Sequence, residues 1–316
     1  MDDLCVIIVS HNGKRWLDGA LRTLFAHAGK LTLDVVVVDN GSDGSGAYVD
    51  ERFAAVRTIV CANRGFGAAN NVALATADAR YVLFLNPDTE FLDGSLGDLV
   101  AVLDRRPRIG LAGVRQLGET GQLTPTIRRF PSTLNMLAEA LGIEKVPFLR
   151  RFLGERVIAP AAYERETRCD WTSGSFMLAR ADALRQSGGF DERFFLFSEE
   201  TDLCRRIKDA GWDVVHLPVA TIRHFESERS ATPRMEAQSA YARLQFARKH
   251  FTWSAPYRWA MILRYALRAK RPSARAALEV ALGGEPPFPA VPPSPQATIV
   301  NAPGTTRSSI RSRSPM

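Results

Sequence analysis

The stretch LCVIIVS at residues 4–10 is apolar throughout and rich in β-branched side chains. A continuous apolar run of this length is typical of a strand buried on both faces of a parallel sheet. LDVVVVD at residues 33–39 and YVLFL at residues 81–85 repeat the pattern, and VRTIV at residues 56–60 is a fourth candidate strand. Lys14–His27 and Gly67–Ala77 lie between these strands and have helical patterns. The alternation predicts an α/β domain with a Rossmann-like, mostly parallel sheet and helices on both faces.

Polar clusters follow three of these strands at their carboxyl ends. They are Ser10–Asn12, Asp39–Ser42 and Asn86–Asp88. Because ligands of open α/β sheets bind beyond the carboxyl ends of the strands, we expect the binding site at this edge. The position of these clusters therefore predicts where a ligand binds, whereas no single cluster identifies the chemistry.

The rest of the chain gives weaker local signals. Residues 91–110 predict one more helix, and residues 115–168 predict a long, partly ordered excursion with a weak amphipathic stretch at Leu134–Leu141. We expect a strand at the end of Trp171–Arg180, a helix over Glu199–Ala210 and a further strand over Trp212–Leu217.

Composition narrows the class of protein. The 316 residues carry a formal net charge of +7, which favours phosphorylated substrates, nucleic acid or an anionic membrane as partners. No nucleic-acid-binding motif accompanies this charge, so no nucleic-acid partner is predicted.

The turn Ser10–Lys14 lacks the Gly-x-Gly-x-x-Gly pattern of nicotinamide oxidoreductases. The four cysteines form no C-x-x-C pair, the N-terminus does not read as a signal peptide, and no stretch reaches about 20 apolar residues. We expect a cytoplasmic protein.

Three candidate site residues follow predicted strands. Asp88, held at the sheet edge by Pro87, is suited to Mg²⁺ or Mn²⁺ beside a diphosphate, although Asn-Pro-Asp is also a common turn. Asp39 is placed to accept hydrogen bonds from a base or ribose, or to cap the turn that follows it. His224 is a candidate metal ligand or phosphate donor, or a structural histidine. From the residues alone these alternatives stay open.

A cluster of acids begins the helix predicted from residue 199. Ser198 is a predicted N-cap, and Glu199, Glu200 and Asp202 fall in the first turn, where the helix dipole favours anions. These acids either stabilise the helix start or present a general base to an attacking hydroxyl.

The C-terminal part changes character. Trp253–Arg271 interleaves aromatic and aliphatic side chains with arginine and lysine and contains no acid. This pattern predicts a basic amphipathic helix that contacts a membrane surface, or a helix packed on the domain with a solvated basic edge. From residue 283 onward the chain is rich in proline, serine, threonine and arginine, which predicts a disordered tail.

Taken together, six segments resemble family 2 glycosyltransferases with the GT-A fold. They are VIIVSHNG at 6–13, VVVVDNGSDGS at 35–45, NRGFGAANN at 63–71, FLNPDTE at 84–90, WTSGSFMLAR at 171–180 and GGFDERFFLFSEETDLCRRIKDAGW at 188–212. The resemblance covers roughly residues 4–250. It is greatest to the bacterial rhamnosyltransferases that build cell-wall and polysaccharide linkers on lipid carriers, whose arginine-containing segment before the acceptor region is similar to RRFPS at residues 128–132.

The resemblance implies roles for named residues. Donor-binding roles fall to Ser10, Asn12, Asp39, Asn71, Asn86 and Asp88. Asn86-Pro87-Asp88 stands where many relatives have Asp-x-Asp, which implies Asp88 as the metal ligand, with His224 helping to hold Mg²⁺ or Mn²⁺ and the diphosphate. Glu200 stands at the position of the catalytic base, where most relatives have aspartate, with Glu199 and Asp202 in support. Trp171, Ser173 and Gly174 are implied to bind the acceptor.

The resemblance also implies an overall reaction and organisation. An inverting glycosyltransferase would move a sugar, rhamnose from dTDP-rhamnose being favoured, to a hydroxyl of a lipid-linked or growing glycan at the cytoplasmic face of the inner membrane. A UDP- or GDP-sugar donor and a catalytically inactive nucleotide-binding relative are the alternatives. We expect a GT-A domain over residues 1–250, divided into a nucleotide-sugar half (1–110) and an acceptor and catalytic half (111–250). A basic helical extension (251–282) and a disordered tail (283–316) would follow.

Overall fold

The computed structural model describes residues 1–225, 232–288 and 298–300. Within these residues ten strands form one sheet. They are β1 (Asp2–Ser10), β2 (Leu33–Asp39), β3 (Val56–Val60), β4 (Ala79–Leu85), β5 (Thr89–Asp93), β6 (Ile109–Leu117), β7 (Thr167–Arg168), β8 (Phe176–Arg180), β9 (Asp213–His224) and β10 (Thr298–Val300).

Eleven α-helices accompany the sheet in the same part of the chain. They are α1 (Lys14–Ala26), α2 (Ser45–Arg52), α3 (Phe66–Leu74), α4 (Leu96–Arg105), α5 (Thr133–Ala140), α6 (Pro147–Leu153), α7 (Ala181–Ser187), α8 (Glu199–Asp209), α9 (Pro233–His250), α10 (Ala255–Ala266) and α11 (Pro272–Leu282). Short 3₁₀ turns occupy Ile143–Lys145 and Pro160–Ala162.

The strands follow the order β10-β3-β2-β1-β4-β8-β6-β9-β5, and β7 lies beside β9. The central strands β3, β2, β1 and β4 are parallel, with Val6 of β1 opposite Val35 of β2 and Leu83 of β4. The α/β prediction with a central parallel sheet is confirmed. The second half adds antiparallel neighbours, since β8 runs antiparallel to both β4 and β6 and β5 runs antiparallel to β9. Consequently the turn before β8 lies beside the carboxyl end of β4.

Alternation along β1 divides the core between the two faces of the sheet. Leu4, Val6 and Ile8 enter one apolar cluster, which α1 and α4 complete. Cys5 and Ile7 enter the opposite cluster, which α3, α7 and α8 cover. Because both faces are buried, the strand needs apolar side chains at every position, which explains the unbroken run in the sequence.

Two segments differ from their sequence-based predictions. The single helix predicted over residues 91–110 is instead the end of β5, then α4, then the start of β6. The excursion predicted over residues 115–168 is more ordered than expected, since it contains the end of β6, helices α5 and α6, and β7. Gly110 explains why β6 is inconspicuous: a Cβ there would overlap the Trp212 side chain, so close packing requires a residue with no apolar signal.

The predicted extension over residues 251–282 is two helices, α10 and α11, rather than one. Tyr257, Met261 and Tyr265 of α10 are buried in an apolar cluster shared with α9, α11 and Met136 of α5. The opposite side of α10 stays exposed. In the described residues no helix is long and apolar enough to cross a membrane.

The disordered tail predicted over residues 283–316 falls largely outside the described residues. The parts that the structure describes are residues 283–288 and β10, which pairs antiparallel with β3. Phe288 stacks on Phe195 at a ring-centroid distance of 5.1 Å, and the Arg234 guanidinium lies 4.1 Å from its ring centroid. This first part of the segment therefore packs against the domain.

Candidate active site

A cavity of about 570 Å³ lies beyond the carboxyl ends of β1 and β4, where the sequence predicted a binding site. The predicted site residues that line it are Asn12, Asn86, Asp88, Ser173, Gly174, Glu199, Glu200 and His224. They come from both halves of the sheet. The cavity exists because β8 and β9 bring the second half of the chain alongside β4.

The loop after β1 is fixed to the loop after β2. Asn12 has φ +56°, in the left-handed region that asparagine tolerates better than most residues. Its Oδ1 accepts a hydrogen bond of 2.8 Å from the Ser42 amide. A Cβ at Gly41 would overlap the Asn12 amide nitrogen, so this close approach requires glycine.

Asp39 and Ser10 lie behind the cavity rather than in its wall. The Asp39 carboxylate accepts hydrogen bonds from the amides of Gly41 (3.0 Å) and Gly46 (2.7 Å). The Ser10 hydroxyl is 2.8 Å from that of Ser45. In this structure Asp39 caps the turn after β2, one of the two alternatives that the sequence left open.

Asn86, Asp88 and His224 converge at one side of the cavity. His224 is opposite Thr89 in the β5–β9 pairing, which places its Nε2 3.3 Å from Asp88 Oδ1 and 3.4 Å from Asn86 Nδ2. The Asn86 amide donates to the Ser175 carbonyl at 3.0 Å, which ties this corner to the turn before β8.

This corner fits a divalent ion in part. In the described ranges no group of three or more His, Cys, Asp and Glu side chains could hold a metal. Asp88 and His224 offer one carboxylate and one imidazole. An ion such as Mg²⁺ usually keeps several waters and takes one or two protein carboxylates together with substrate phosphates, so two side chains are compatible with it when a diphosphate is bound.

The start of α8 directs two acids at the cavity. Phe197 (φ +70°) and Ser198 (φ +62°) are both in the left-handed region, which is unfavourable for non-glycine residues and is enriched at functional sites. Ser198 occupies the N-cap position as predicted, but its side chain makes no capping hydrogen bond. The two residues turn the chain so that Glu199 and Glu200 line the cavity.

The carboxyl group of Glu200 has an unusual environment. Burial raises its pKa, and the backbone amide of Glu200, the Arg128 guanidinium and the backbone amide of Thr201 oppose this shift only in part. Its Oε2 accepts no hydrogen bond from the described residues. Gly174 packs beside it, since a Cβ at this position would be in ordinary contact with Glu200 Cβ at 3.7 Å. A carboxylate with a raised pKa in the wall of a cavity is suited to accept a proton from a substrate hydroxyl.

Two other predicted site residues do not reach the cavity. The carboxylate of Asp202 is fully buried on the opposite side of α8, where it contacts Arg206 (2.8 Å), Lys249 (2.6 Å) and His250 (2.7 Å). The position of Asp202 does not support a direct catalytic role, because this ion network fixes α8 to α9. Asn71 holds the chain at Phe190 through hydrogen bonds to its amide and carbonyl, both 2.9 Å, and does not line the cavity.

Of the three predicted acceptor residues, two line the cavity and one does not. Ser173 and Gly174 line the cavity, and the Ser173 hydroxyl is 3.0 Å from that of Ser175. Trp171 does not line the cavity. Its Nε1 donates to the Arg129 carbonyl at 2.8 Å, and the Arg128 guanidinium lies 5.2 Å from its ring centroid.

Aromatic side chains complete the wall, and the sequence analysis did not identify them as site residues. Trp16 stacks on Phe225 at 4.8 Å, and Phe66, Phe195 and Phe288 lie elsewhere in the lining. Trp16 shares the helical apolar spacing of α1, so nothing in the sequence separates it from the core residues of that helix. Phe288 lies in the segment predicted to be disordered, which gave no signal for a cavity residue.

Comparisons with known sequences agree with this architecture. The model of the family described as glycosyl transferase family 2 matches residues 5–157. An N-acetylglucosaminyl-diphospho-decaprenol L-rhamnosyltransferase of Mycobacterium tuberculosis (strain ATCC 25618 / H37Rv) is 31% identical over 288 residues, which cover 85% of this chain and 92% of that protein. Rhamnosyltransferase WbbL of Escherichia coli (strain K12) is 27% identical over 229 residues, which cover 70% and 82%.

Solved structures share the fold at low sequence identity. GalNAc-T7, crystallised with UDP, GalNAc and Mn²⁺, superposes with a TM-score of 0.57 at 14% identity, over 77% of this chain and 47% of that chain. The mannosyltransferase PcManGT from Pyrobaculum calidifontis, in complex with GDP-Man and Mn²⁺, gives a TM-score of 0.56 at 16% identity, over 90% and 77%. The GT-A fold predicted from the motifs is confirmed.

Proposed function

The chain belongs to glycosyl transferase family 2 and is a glycosyltransferase, and on that premise we propose that it transfers rhamnose from dTDP-rhamnose to a hydroxyl of a lipid-linked glycan, with inversion. One observation carries the proposal. Glu200, with its raised carboxyl pKa and an oxygen free of hydrogen bonds, lines the same cavity as Asp88 and His224. A base and a diphosphate-binding corner are the two parts that single displacement needs.

In the proposed reaction Glu200 is the general base. Its carboxylate takes the proton of the acceptor hydroxyl while that oxygen forms a bond to the anomeric carbon and the bond from this carbon to the diphosphate breaks. One carboxylate that activates the acceptor, with no second one as nucleophile, gives inversion. The left-handed Phe197 and Ser198 hold the base in place before substrate binds, which supports positional precision.

Asn12, Asn86, Asp88 and His224 form the proposed donor-binding corner. Asp88 and His224 would hold Mg²⁺ or Mn²⁺. The chemistry that a divalent cation supplies there is neutralisation of the negative charge on the leaving diphosphate. Ser10 and Asp39 contribute indirectly in this proposal, because they order the loops that present Asn12 and Asn40 to the cavity.

The donor and acceptor in this proposal follow from the relatives. Two are named as rhamnosyltransferases, and the acceptor of one is a diphospho-decaprenol-linked N-acetylglucosamine. Ser173 and Gly174 border the base and would contact the accepting sugar. The proposed division assigns residues 1–110 to the nucleotide sugar and 111–250 to the acceptor and base, which is supported by Asp88 lying in the first part and Glu200 in the second.

Peripheral contact with the cytoplasmic face of the inner membrane is also proposed. Trp253 and Trp259 are 79% and 67% exposed, and Leu267, directly after α10, is exposed as well. No acid occurs between residues 252 and 278, whereas six arginines and lysines do. Exposed tryptophan within an acid-free basic segment is complementary to an anionic lipid surface.

A titration tests donor binding directly. The protein would be titrated calorimetrically with dTDP, UDP, GDP and NAD, each with and without Mn²⁺. We expect metal-dependent binding of dTDP in preference to the others, and transfer of rhamnose from dTDP-rhamnose to a prenyl-diphosphate-linked N-acetylglucosamine. Metal-dependent binding of UDP or GDP alone would contradict the rhamnose donor and leave the transferase reaction in place. Binding of none of the diphosphates would contradict the proposed function.

A further inference from the structure

A second cavity, of about 420 Å³, lies outside the site described above. Its walls come from α5, α6, α9, α10 and the segment around residues 154–156, and most of its lining side chains are charged. The charged members are Glu139, Arg150, Glu155, Arg156, Glu236, Arg243 and Arg264. None of these residues has a part in the proposed transfer step.

The acids of this second cavity already have partners. Glu139 pairs with Arg264 at 2.7 Å, Glu155 pairs with Arg243 at 2.9 Å, and Glu236 accepts a hydrogen bond of 3.1 Å from the Tyr265 hydroxyl. Arg150 and Arg156 line the same space and make no ion pair with the described residues. Two guanidinium groups therefore remain available to a ligand, and the lining as a whole, with four arginines and three glutamates, carries a formal net charge of +1.

The chain path connects the two cavities. Arg128 forms one β-bridge to Arg156, in the wall of the second cavity, and another to Trp171, two residues before Ser173 in the first. Since adjacent strands are about 4.8 Å apart, the backbones of Arg156 and Trp171 lie about 10 Å apart on either side of Arg128. The Nε of Arg128 is buried without a hydrogen-bond partner in the described ranges. Burial lowers the pKa of Arg128 to about 10, and repulsion from Arg156 adds to this shift.

An apolar surface borders the second cavity. Arg150 lies in α6 between Phe148 and Phe152, which are 72% and 63% exposed and contact each other edge to face at 5.6 Å. Leu137 of α5 is exposed on the neighbouring helix. A ligand with a phosphate in the cavity and a hydrocarbon chain leading out of it would find complementary surfaces along this path.

We propose that this second cavity binds the diphosphate of a lipid-linked acceptor, through Arg150 and Arg156, while the accepting sugar lies at Glu200. Guanidinium groups bind phosphate oxygens bidentately and remain charged at any physiological pH. Because these two backbones are only about 10 Å apart, one acceptor would reach both cavities, with its diphosphate in one and its accepting sugar in the other. This inference rests on the proposed function for its substrate, and on the charges and bridges above for its site.

The test compares two acceptors on the full chain. One is N-acetylglucosamine linked through diphosphate to a short prenyl chain, and the other is an N-acetylglucosamine alkyl glycoside without phosphate. Arg150→Ala/Arg156→Ala is expected to lower the ratio of kcat/KM for the first acceptor to that for the second at least tenfold, mainly through KM. Arg150→Lys/Arg156→Lys should restore part of the ratio. Arg151→Ala/Arg165→Ala removes the same charge from exposed residues that lie outside both cavity linings, and should leave the ratio unchanged.

Other results would overturn the inference. An equal loss on both acceptors would show that the arginines support the fold or the catalytic site, and no loss would show that the cavity holds no substrate phosphate. Lost sedimentation with phosphatidylglycerol vesicles together with an unchanged ratio would assign the arginines to bilayer headgroups instead. If the wild-type protein transfers to neither acceptor, the proposed function fails separately. Titration of inorganic pyrophosphate at saturating dTDP and Mn²⁺ then still tests the cavity, because tenfold weaker binding by the alanine variant is expected.

Discussion

Replacing Glu200 by glutamine is expected to lower the transfer rate without lowering the stability of the fold. The substitution keeps the size of the side chain and removes its charge and its basicity. A general base contributes about 10²–10⁴-fold to a rate, so we expect transfer to fall by that factor while nucleotide binding, which Glu200 does not contact in the proposal, stays within twofold.

The effect of this substitution on stability is expected to have the opposite sign. Burial raises the pKa of the Glu200 carboxyl above its unfolded value, so the ionised group costs the fold stability as pH rises through the raised pKa. Each unit of that shift corresponds to about 1.4 kcal/mol. The new amide lacks a partner at the position of Oε2 and costs about 1 kcal/mol of this gain. We expect the free energy of unfolding and the Tm to increase at pH 7.5, because relief of the burial penalty on the charge outweighs the cost of the unpaired amide.

Asp202→Asn is the matched control on the same helix. Burial alone would raise the pKa of the Asp202 carboxyl, but its contacts with His250, Arg206 and Lys249 hold it below the ordinary value. This stability is present above about pH 4 and is lost as pH falls through the lowered pKa. Removing one charge from a buried network costs about 3 kcal/mol, so the Tm should fall steeply. Transfer per folded molecule should be reduced far less than in Glu200→Gln.

The measurements are scanning calorimetry, dTDP titration and initial rates of transfer on both variants. A Glu200→Gln protein that keeps transfer within tenfold of wild type would refute the base assignment. A loss of nucleotide binding would show that the residue shapes the donor pocket instead. A Tm that falls as in Asp202→Asn would refute the reasoning about its buried carboxylate, whose Oε2 accepts no hydrogen bond.

The remaining predictions concern pH, the donor corner, the membrane face and the backbone. The transfer rate should fall on the acid side through an apparent pKa above the ordinary glutamate value of about 4.3, because protonated Glu200 cannot accept a proton; an acid limb at or below that value would contradict this. Asp88→Ala should abolish the Mn²⁺ dependence of dTDP binding in calorimetry, whereas the surface substitution Asp98→Ala should not; unchanged metal titration curves in the former would count against the ligand role. Trp253→Ala and Trp259→Ala should each weaken sedimentation with anionic vesicles about tenfold without lowering the Tm, since both indoles are exposed; equal binding would leave α10 as a solvated helix. Gly65→Ala should lower the Tm and the dTDP affinity together, because Gly65 has φ +103° and a Cβ there would overlap the Phe195 carbonyl in the cavity wall; a normal Tm would contradict the strain argument.

Much of the first half of the fold could be predicted from the sequence because its signals are local. A strand buried on both faces needs an apolar side chain at each position, so β1, β2 and β4 are visible as unbroken runs. The edge of the sheet that holds the site followed from the same runs, since the polar clusters come directly after them. Asn12, Asp88 and Glu200, which the sequence placed in the site, all line the cavity.

The strands β5 and β6 lacked such a signal. Gly110 and Gly113 of β6 allow Trp212 and Thr172 to pack against the strand. Two positions of β6 therefore hold glycine and not the apolar residues that would have marked a buried strand. The second cavity had no signal either, because its arginines come from segments between residues 150 and 264 that only the packing of α5, α6, α9 and α10 brings together.

Helix α8 shows most clearly what the sequence determined and what it did not. The sequence identified a helix start rich in acids, and helical geometry turns Glu200 and Asp202 about 200° apart around the axis. That angle follows from the local pattern, but which acid faces the cavity does not. The tertiary structure decided it by bringing Lys249 and His250 of α9 to the Asp202 side and the ends of β4 and β9 to the Glu200 side. The physical reason is that a carboxylate becomes a structural ion pair or a base according to the charges packed against it, and those charges lie far away in sequence.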